Sequence, residues 1–401
     1  MQEVGQVQGS ARDEGTLPFY RASDLEMAAG WVPGHSSRRV SEDLEVPTDP
    51  LQALENTLRE ALLRPPCVIG FSGGRDSSAL LAVAISLARR EGLTPPIAAT
   101  NVYPDLEETD ESDWQELVIR YLGIEEWVRQ EFTDETDLLA PSSLSSLRRH
   151  GPLWPATMHN RAPIIALARG GSYITGNGGD ELLGEYRSTR LARVLARQVP
   201  TVQRAAKDVV WVIGPGRVRQ RLERRALARR GALRPWLRPR AAEWFADQVT
   251  EMAVRRPLTH RFGPVEVLRR RGFQAAFGNL NLIGESLGVR YVHPFLDPAF
   301  AVALGRCAPT LGFTGRTETM RALFGHLLPD AILSRNAKVY FNSAYAHRFT
   351  REFVASWDGS GLDDDLIDAE ALKDSWQNDP VFHGGSFQLV HLAWLASNEP
   401  A

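Results

Sequence analysis

A short segment rich in glycine and serine, residues 71–78, carries the residue types that bind phosphate groups. Gly73 and Gly74 leave room for backbone N–H groups to approach phosphate oxygens. A helix predicted to begin near Ser77 directs its positive end at the same point. Asp76 adds a carboxylate that can hold the Mg²⁺ that accompanies a nucleotide. The loop also has three hydroxyl donors, which are Ser72, Ser77 and Ser78.

The segment is not a Walker loop, because the lysine of the pattern G-x-x-x-x-G-K-S/T is missing. This disfavours kinase and GTPase functions. A simpler interpretation is a Gly-Gly turn that joins a strand to a helix, with a serine cap and an acidic first turn. A second motif is needed to choose between the two interpretations.

That second motif covers residues 175–186, and it again follows a strand and opens a helix. Its glycines, Gly176 and Gly179 among them, form a turn that can close over a nucleotide, and Asp180 supplies a second metal-binding carboxylate. Both loops follow strands, so we expect them to face each other across the carboxyl edge of one sheet. We also expect no side chain between Asp76 and Asp180, where a magnesium-bound triphosphate would lie.

The surrounding pattern predicts an α/β fold. Apolar runs near residues 67–71, 97–103, 127 and 172–175 are typical of buried strands, and helical patterns cover residues 51–63, 77–90 and 112–122. Alternating strands and helices indicate a parallel sheet. The chain after residue 185 is predicted to be mainly helical. Residues 1–46 are predicted to be an extension, with a short helix over residues 22–31, and residues 47–401 a single domain.

Composition excludes several classes of protein. The net charge of -3 disfavours a surface built for nucleic acid or an anionic membrane. The two cysteines, Cys67 and Cys307, are far apart and indicate neither a disulfide framework nor a zinc site. No apolar run has the length of a membrane span, and the first twenty residues do not look like a signal peptide. We therefore expect a cytoplasmic protein without a membrane partner.

The two loops resemble known motifs. Residues 72–78 are similar to the S-G-G-x-D-S-S signature of the PP-loop ATP pyrophosphatases, and residues 175–186 resemble the G-x-G-G-D-E-L-F-G-G-Y element of the asparagine synthetase family. Residues 289–297 resemble the family's R-x-P-F-L-D segment, with His293 as an additional residue. Residues 334–338 resemble the segment that carries its catalytic lysine. The resemblance covers nearly the whole chain and implies a PP-loop fold with helices on both faces of the sheet.

The resemblance also implies a reaction. A carboxylate attacks the α phosphate of ATP to form an acyl-AMP, Mg²⁺ and pyrophosphate leave, and an amine takes the acyl group. Lys338 would stabilise negative charge on the intermediate, although a solvated surface lysine is an equal alternative. Pyrophosphate and metal would be held by Ser72, Gly73, Gly74, Asp76, Ser77, Ser78 and Asp180. Adenosine would be bordered by Phe71, Thr100, Thr175 and Gly176, with Gly179 in the same loop.

Two departures from asparagine synthetases bear on the substrate. Position 2 is Gln2, where glutamine-dependent members have a catalytic cysteine, so we expect no glutaminase domain. Asn177 replaces a glutamate that assists the incoming amine, and an amide is no general base at neutral pH. Candidate replacement bases are His159, His293 and Glu185. Relatives that close β-lactam rings or lasso-peptide macrolactams also change this position, which favours a peptide or specialised-metabolite ligase.

Three alternatives remain open at this stage. The chain could be an ammonia-dependent enzyme with a separate glutaminase, a PP-loop enzyme that modifies tRNA, or a non-catalytic member of the family. An arginine-rich segment, which begins at Arg217 and ends at Arg240, could bind an acidic peptide or an RNA backbone. A solvated helix face explains the same segment more simply.

Overall fold

The computed structural model describes residues 18–36, 45–229, 234–336, 339–378 and 382–398. The strands in these residues are β1 (Cys67–Gly70), β2 (Ile97–Val102), β3 (Trp127–Glu131), β4 (Ser172–Ile174) and β5 (Arg290–Val292). They form one parallel sheet with the order β3-β2-β1-β4-β5. The predicted α/β class is confirmed. The sequence patterns did not predict β5, because the charged Arg290 interrupts its apolar run.

Helices make up most of the remaining described chain, and none of the described helices has both the length and the apolar character needed to cross a membrane. The α-helices are α1 (Asp24–Ala29), α2 (Pro50–Leu62), α3 (Arg75–Glu91), α4 (Ser112–Leu122), α5 (Pro141–His150), α6 (Arg161–Ile165), α7 (Gly179–Leu182), α8 (Thr189–Leu195), α9 (Val202–Ile213), α10 (Gly216–Arg229), α11 (Pro239–Arg255), α12 (Gly263–Leu268), α13 (Arg271–Ser286), α14 (Pro298–Cys307), α15 (Arg316–Phe324), α16 (Asp330–Leu333), α17 (Asn342–Tyr345), α18 (Arg348–Ser356), α19 (Ala369–Asn378) and α20 (Phe387–Asn398).

Helices cover both faces of the sheet, as the resemblance implied. Successive side chains of a strand point to opposite faces, so the neighbours Val68 and Ile69 of β1 belong to different cores. Ile69 packs with α2, α3 and α14. Val68 packs with Tyr173 of β4, Tyr291 of β5 and side chains of α6 and α13. Burying each large apolar side chain contributes roughly 1.5–3 kcal/mol, and this packing fixes the strand ends from which the two glycine loops emerge.

A third core lies among the helices of the second half and surrounds the fully buried Trp236 and Trp376. Its members come largely from α11, α18, α19 and α20, so the predicted helical second half is confirmed. Helix α1 begins with a capping box between Ser23 and Glu26. The carbonyl of Ala28 accepts a hydrogen bond from Nε1 of Trp236 at 2.9 Å. The described part of the predicted extension is therefore packed on this core.

The arginine-rich segment forms α10 and the start of α11, which pack against each other. Arg219 is buried and donates a hydrogen bond to the carbonyl of Val254 at 3.0 Å. Arg224 lies 3.0 Å from Asp247 of α11. These arginines stabilise the helix pair, and binding of an acidic peptide stays a prediction. The exposed arginines of α10 are Arg217, Arg221, Arg224, Arg225 and Arg229.

Candidate active site

The glycine- and serine-rich segment of residues 71–78, which we call the phosphate loop, connects β1 to the first turn of α3. Gly73 has a φ of 79°, which glycine adopts without strain, and a Cβ there would lie 2.9 Å from Cγ of Gln115. The hydroxyl of Ser72 accepts a hydrogen bond from the N–H of Gly74 at 3.2 Å and lies 3.1 Å from Oγ of Ser77. These contacts hold the loop at the N-terminus of α3, where the positive end of the helix dipole favours an anion.

The second glycine loop, between β4 and α7, packs directly on the first turn of α3. A Cβ at Gly176 would lie 3.2 Å from the Cβ of Asp76 and from the backbone nitrogen of Ser77. A Cβ at Gly179 would lie 2.4 Å from Cγ of Asp76. Because β1 and β4 pair in parallel, the loops that follow them start at the same edge of the sheet. The structure therefore brings Asp76 and Asp180 into one site.

Asp76 and Asp180 share a positively charged partner, Arg316, in the first turn of α15. Its Nη2 donates to the two carboxylate oxygens of Asp76 at 2.5 and 2.6 Å. Its Nη1 donates to Oδ1 of Asp180. Two neighbouring carboxylates repel each other, and the guanidinium group offsets this repulsion. The prediction that no side chain lies between the two carboxylates is therefore wrong.

Two further arginines lie beside the phosphate loop. Arg335 is buried, donates to the carbonyl of Gly73 at 3.1 Å and forms an ion pair with Glu111. Burial raises the pKa of Glu111, although the hydrogen bond from Arg335 opposes this effect. Burial also lowers the pKa of Arg75, and the positive charge of Arg316 lowers it further. Arg75 belongs to the loop itself, whereas Arg335 lies 262 positions after Gly73 in the sequence, so no local pattern linked Arg335 to the site.

The residues predicted to border adenosine lie in different environments. Phe71 is buried and lines the cavity described below. The hydroxyl of Thr100 is not free for a ligand, because it donates to the carbonyl of Phe71 at 2.7 Å and accepts from Nε1 of Trp127 at 2.9 Å. Ala99 and Asn101, on either side of Thr100, line the cavity instead.

Three other predicted site residues also differ in their environments. Oγ1 of Thr175 lies 2.7 Å from Nδ1 of His293 at the edge of the cavity. Ser78 is fully buried, and its hydroxyl has no hydrogen-bond partner in the described part of the chain. Lys338 lies outside the described residues, so its role stays a prediction.

The two loops open onto a cavity of about 590 Å³, a volume typical of small-molecule sites. The same cavity extends over the sheet face that α6 and α13 cover, where aromatic side chains of β4 and β5 line it. A charged loop region and an aromatic region are thus continuous. The loop residues that line the cavity include Ser72, Gly74, Asp76, Ser77, Gly176 and Asp180.

The three candidate bases are not equivalent. His159 is buried outside the cavity, 2.9 Å from the hydroxyl of Ser146, and burial holds its pKa well below the usual range. Glu185 forms an ion pair with Arg193. His293 contacts Thr175, but burial lowers its pKa to about 4, so it is neutral and a weak base at pH 7.

The acidic side chains of the site fit a magnesium ion that arrives with a nucleotide. Mg²⁺ is usually held by one or two carboxylates together with substrate phosphates, and Asp76 and Asp180 are two carboxylates that already share one cation. No group of three or more His, Cys, Asp or Glu side chains within the described ranges forms a complete metal cage. The remaining ligands of such an ion would have to come from phosphate and water.

A comparison with models of protein families matches most of the chain. The family model described as asparagine synthase matches residues 51–388, which include both glycine loops, β5 and α15. No curated protein matches the chain significantly.

Proposed function

Because this chain belongs to the asparagine synthase family of ATP-dependent ligases, we propose that it is an AMP-forming carbon–nitrogen ligase. The carboxylate of an acyl substrate attacks the α phosphorus of ATP, the bond to the β phosphate breaks, and acyl-AMP and pyrophosphate form. An amine then attacks the acyl carbon, and AMP leaves with the bonding electron pair. The observation that carries the proposal is the contact of the two glycine loops around Asp76 and Asp180.

The phosphate loop and the nearby arginines support the first step. Backbone N–H groups at the start of α3 point towards the space where the phosphates would lie. Arg75 and Arg316 line the same cavity and supply positive charge for pyrophosphate as a leaving group. Arg335 stabilises the phosphate loop through a hydrogen bond to the carbonyl of Gly73. Catalysis of this kind rests on positioning and on charge stabilisation.

Asp76 and Asp180 are the residues that would hold Mg²⁺. When bound, this ion neutralises the phosphate oxygens and favours the departure of pyrophosphate. Arg316 occupies oxygens of both carboxylates, so Arg316 and a divalent cation compete for the same ligands. We infer that Arg316 moves from the carboxylates to the phosphates when the metal–nucleotide complex binds.

Asn177 supports an amine that is part of a peptide or of a specialised metabolite. Asn177 lines the cavity and cannot accept a proton at neutral pH. An amine held next to its own acyl-adenylate gains from proximity and needs less assistance from a base. Macrolactam formation is one reaction of this type.

The proposal is tested by ATP–pyrophosphate exchange with a panel of acids that includes aspartate, other amino acids and acidic peptides. We expect exchange with at least one acid and a loss of about a hundredfold or more in Asp76→Asn and Asp180→Asn. Asp105→Asn is the control, because Asp105 is an exposed acid outside the cavity.

Two results would contradict the proposal. One is exchange that survives both site substitutions. The other is an enzyme that releases ADP and phosphate from ATP, because cleavage at the γ phosphate excludes an acyl-AMP. Exchange with aspartate, together with asparagine formation when ammonia is added, would replace the peptide substrate with an asparagine-forming reaction.

A further inference from the structure

The aromatic region of the cavity contains a charged side chain, Arg161 at the start of α6. Arg161 is half-buried, and its Nε donates to the carbonyl of Thr157 at 2.7 Å. The centre of its guanidinium group lies 5.6 Å from the ring centroid of Tyr345. Tyrosines of β4, β5 and the end of β2 surround this part of the cavity. We call this region the tyrosine pocket, and it consists of Tyr103, Arg161, Tyr173, Tyr291 and Tyr345.

No carboxylate in the described ranges lies within ion-pair distance of Arg161. The acidic groups of the phosphate region are engaged elsewhere, since Asp76 and Asp180 contact Arg316 and Glu111 contacts Arg335. A cation removed from bulk water without a counter-ion is unfavourable. A positive charge is therefore present here that no carboxylate in the described part of the chain balances.

Three of the four tyrosines of the pocket do not balance this charge either. Burial raises the pKa of Tyr173 to about 12, and burial also raises the pKa values of Tyr103 and Tyr291. All three are neutral phenols at pH 7. The charge of Arg161 is thus available to an anion that enters the cavity.

A second observation independently indicates a missing ligand. Tyr291 is only 8% exposed, it lines the cavity, and its hydroxyl has no hydrogen-bond partner within the described ranges. Buried hydroxyl groups are nearly always hydrogen-bonded, so an unpaired one calls for an explanation. An acceptor that fills the pocket would satisfy the Tyr291 hydroxyl and the guanidinium of Arg161 together.

We propose that Arg161 and Tyr291 bind a carboxylate of the acyl substrate other than the carboxylate that is adenylated. A planar guanidinium group matches the two oxygens of a carboxylate, and the aromatic walls suit an organic acid. A carboxylate held in a close ion pair is stabilised in the ground state and is a weaker nucleophile, which favours adenylation of the other carboxylate. This inference rests on the proposed adenylation and restricts the acyl substrate to molecules with two carboxylates.

The binding test compares glutarate with its monoamide, glutaramate, at constant ionic strength and in the presence of magnesium and a non-hydrolysable ATP analogue. Calorimetry on the full chain should show that glutarate binds at least about tenfold more tightly than glutaramate. Arg161→Gln should remove that difference. The control is Arg169→Gln, because Arg169 is an exposed arginine that follows α6 and does not line the cavity.

Two further variants keep the test independent of folding. Arg161→Met should be at least as stable as wild type without an acid, because it removes an uncompensated charge. Tyr291→Phe should weaken glutarate binding several-fold and leave binding of the ATP analogue unchanged. Equal binding of glutarate and glutaramate, no binding of either acid, or tight glutarate binding by Arg161→Gln would each overturn the proposed subsite.

Pyrophosphate exchange separates this inference from the proposed function. In one outcome, exchange proceeds equally with monocarboxylates and dicarboxylates and stays unchanged in Arg161→Gln. This result would support the proposed ligase and contradict the proposed subsite. Glutarate binding that depends on Arg161, without pyrophosphate exchange for any acid, would support the anion site and contradict the proposed ligase.

Discussion

The two regions of the cavity differ in whether their charged side chains have partners of opposite charge. At the glycine loops, the carboxylates of Asp76 and Asp180 already have a cationic partner in Arg316. In the tyrosine pocket, Arg161 has no carboxylate partner in the described chain, and the hydroxyl of Tyr291 has no acceptor. The first region must exchange one cation for another. The second can accept an anion without breaking any ion pair.

This difference indicates how the two regions would contribute to binding. A metal–nucleotide complex must displace the internal ion pairs of Arg316, so part of its binding energy is used in rearrangement. An organic anion at Arg161 gains an ion pair in a partly desolvated site. This ion pair would mainly increase the affinity for the substrate and the selection among acids. The loops would therefore control turnover, and the tyrosine pocket would control which acid is used.

The largest effect that would test this comparison is expected from Arg316→Gln. The substitution frees the two carboxylates of a competing cation but removes positive charge from the phosphates. We expect Mn²⁺ to bind about tenfold more tightly without nucleotide, and pyrophosphate exchange to fall by about a hundredfold or more. Electron paramagnetic resonance of Mn²⁺ measures the first quantity. Arg321→Gln is the control, since Arg321 lies on α15 and pairs with the exposed Asp330.

Weaker Mn²⁺ binding in Arg316→Gln would contradict the competition between Arg316 and the metal. The guanidinium group would then position the carboxylates for the metal. The metal would not have to displace Arg316, and this difference between the two regions would disappear.

A smaller effect is expected from Gly179→Ala. Its Cβ would lie 2.4 Å from Cγ of Asp76, so the two loops must separate. We expect pyrophosphate exchange to fall by about tenfold and glutarate binding at Arg161 to stay unchanged, because a displacement of about 1 Å at a reacting centre is costly. Gly278→Ala is the control, because a Cβ at Gly278 in α13 would contact no atom within 4 Å. Unchanged exchange would show that close loop contact is not required.

A third effect, on stability and not on activity, is expected in the pH dependence of unfolding. Burial raises the pKa of Tyr173 from 10 to about 12, so the folded protein keeps a proton that the unfolded chain releases between these values. The free energy of unfolding should therefore fall as the pH rises from 10 to 12, by up to about 3 kcal/mol from this group. Tyr173→Phe should reduce this fall, as measured by urea unfolding at each pH.

Tyr121→Phe is the matched control, since the side chain of Tyr121 is 54% exposed and lies outside the cavity. An identical alkaline slope in wild type and in Tyr173→Phe would show that Tyr173 ionises as easily in the folded protein as in the unfolded chain.

Local patterns in the sequence determined the sheet and the position of the loops. Apolar runs bounded by glycine and proline predicted four strands and the helices between them, because strand and helix periods differ. Parallel strands end at one edge of the sheet, so the meeting of the two glycine loops followed from their positions after strands. The same reasoning did not identify β5, because the charged Arg290 interrupts its apolar run.

The partners of the site residues were decided by the tertiary structure. Arg316 lies 240 positions after Asp76, and Tyr345 lies 184 positions after Arg161, so no spacing links either pair. The environment of Thr100 also could not be predicted from the local sequence. Its hydroxyl donates to the carbonyl of Phe71, and its neighbours Ala99 and Asn101 line the cavity instead. Charge compensation depends on which groups meet across the fold after burial. A local pattern predicts where a loop begins, and only the packed structure determines which charges are balanced there.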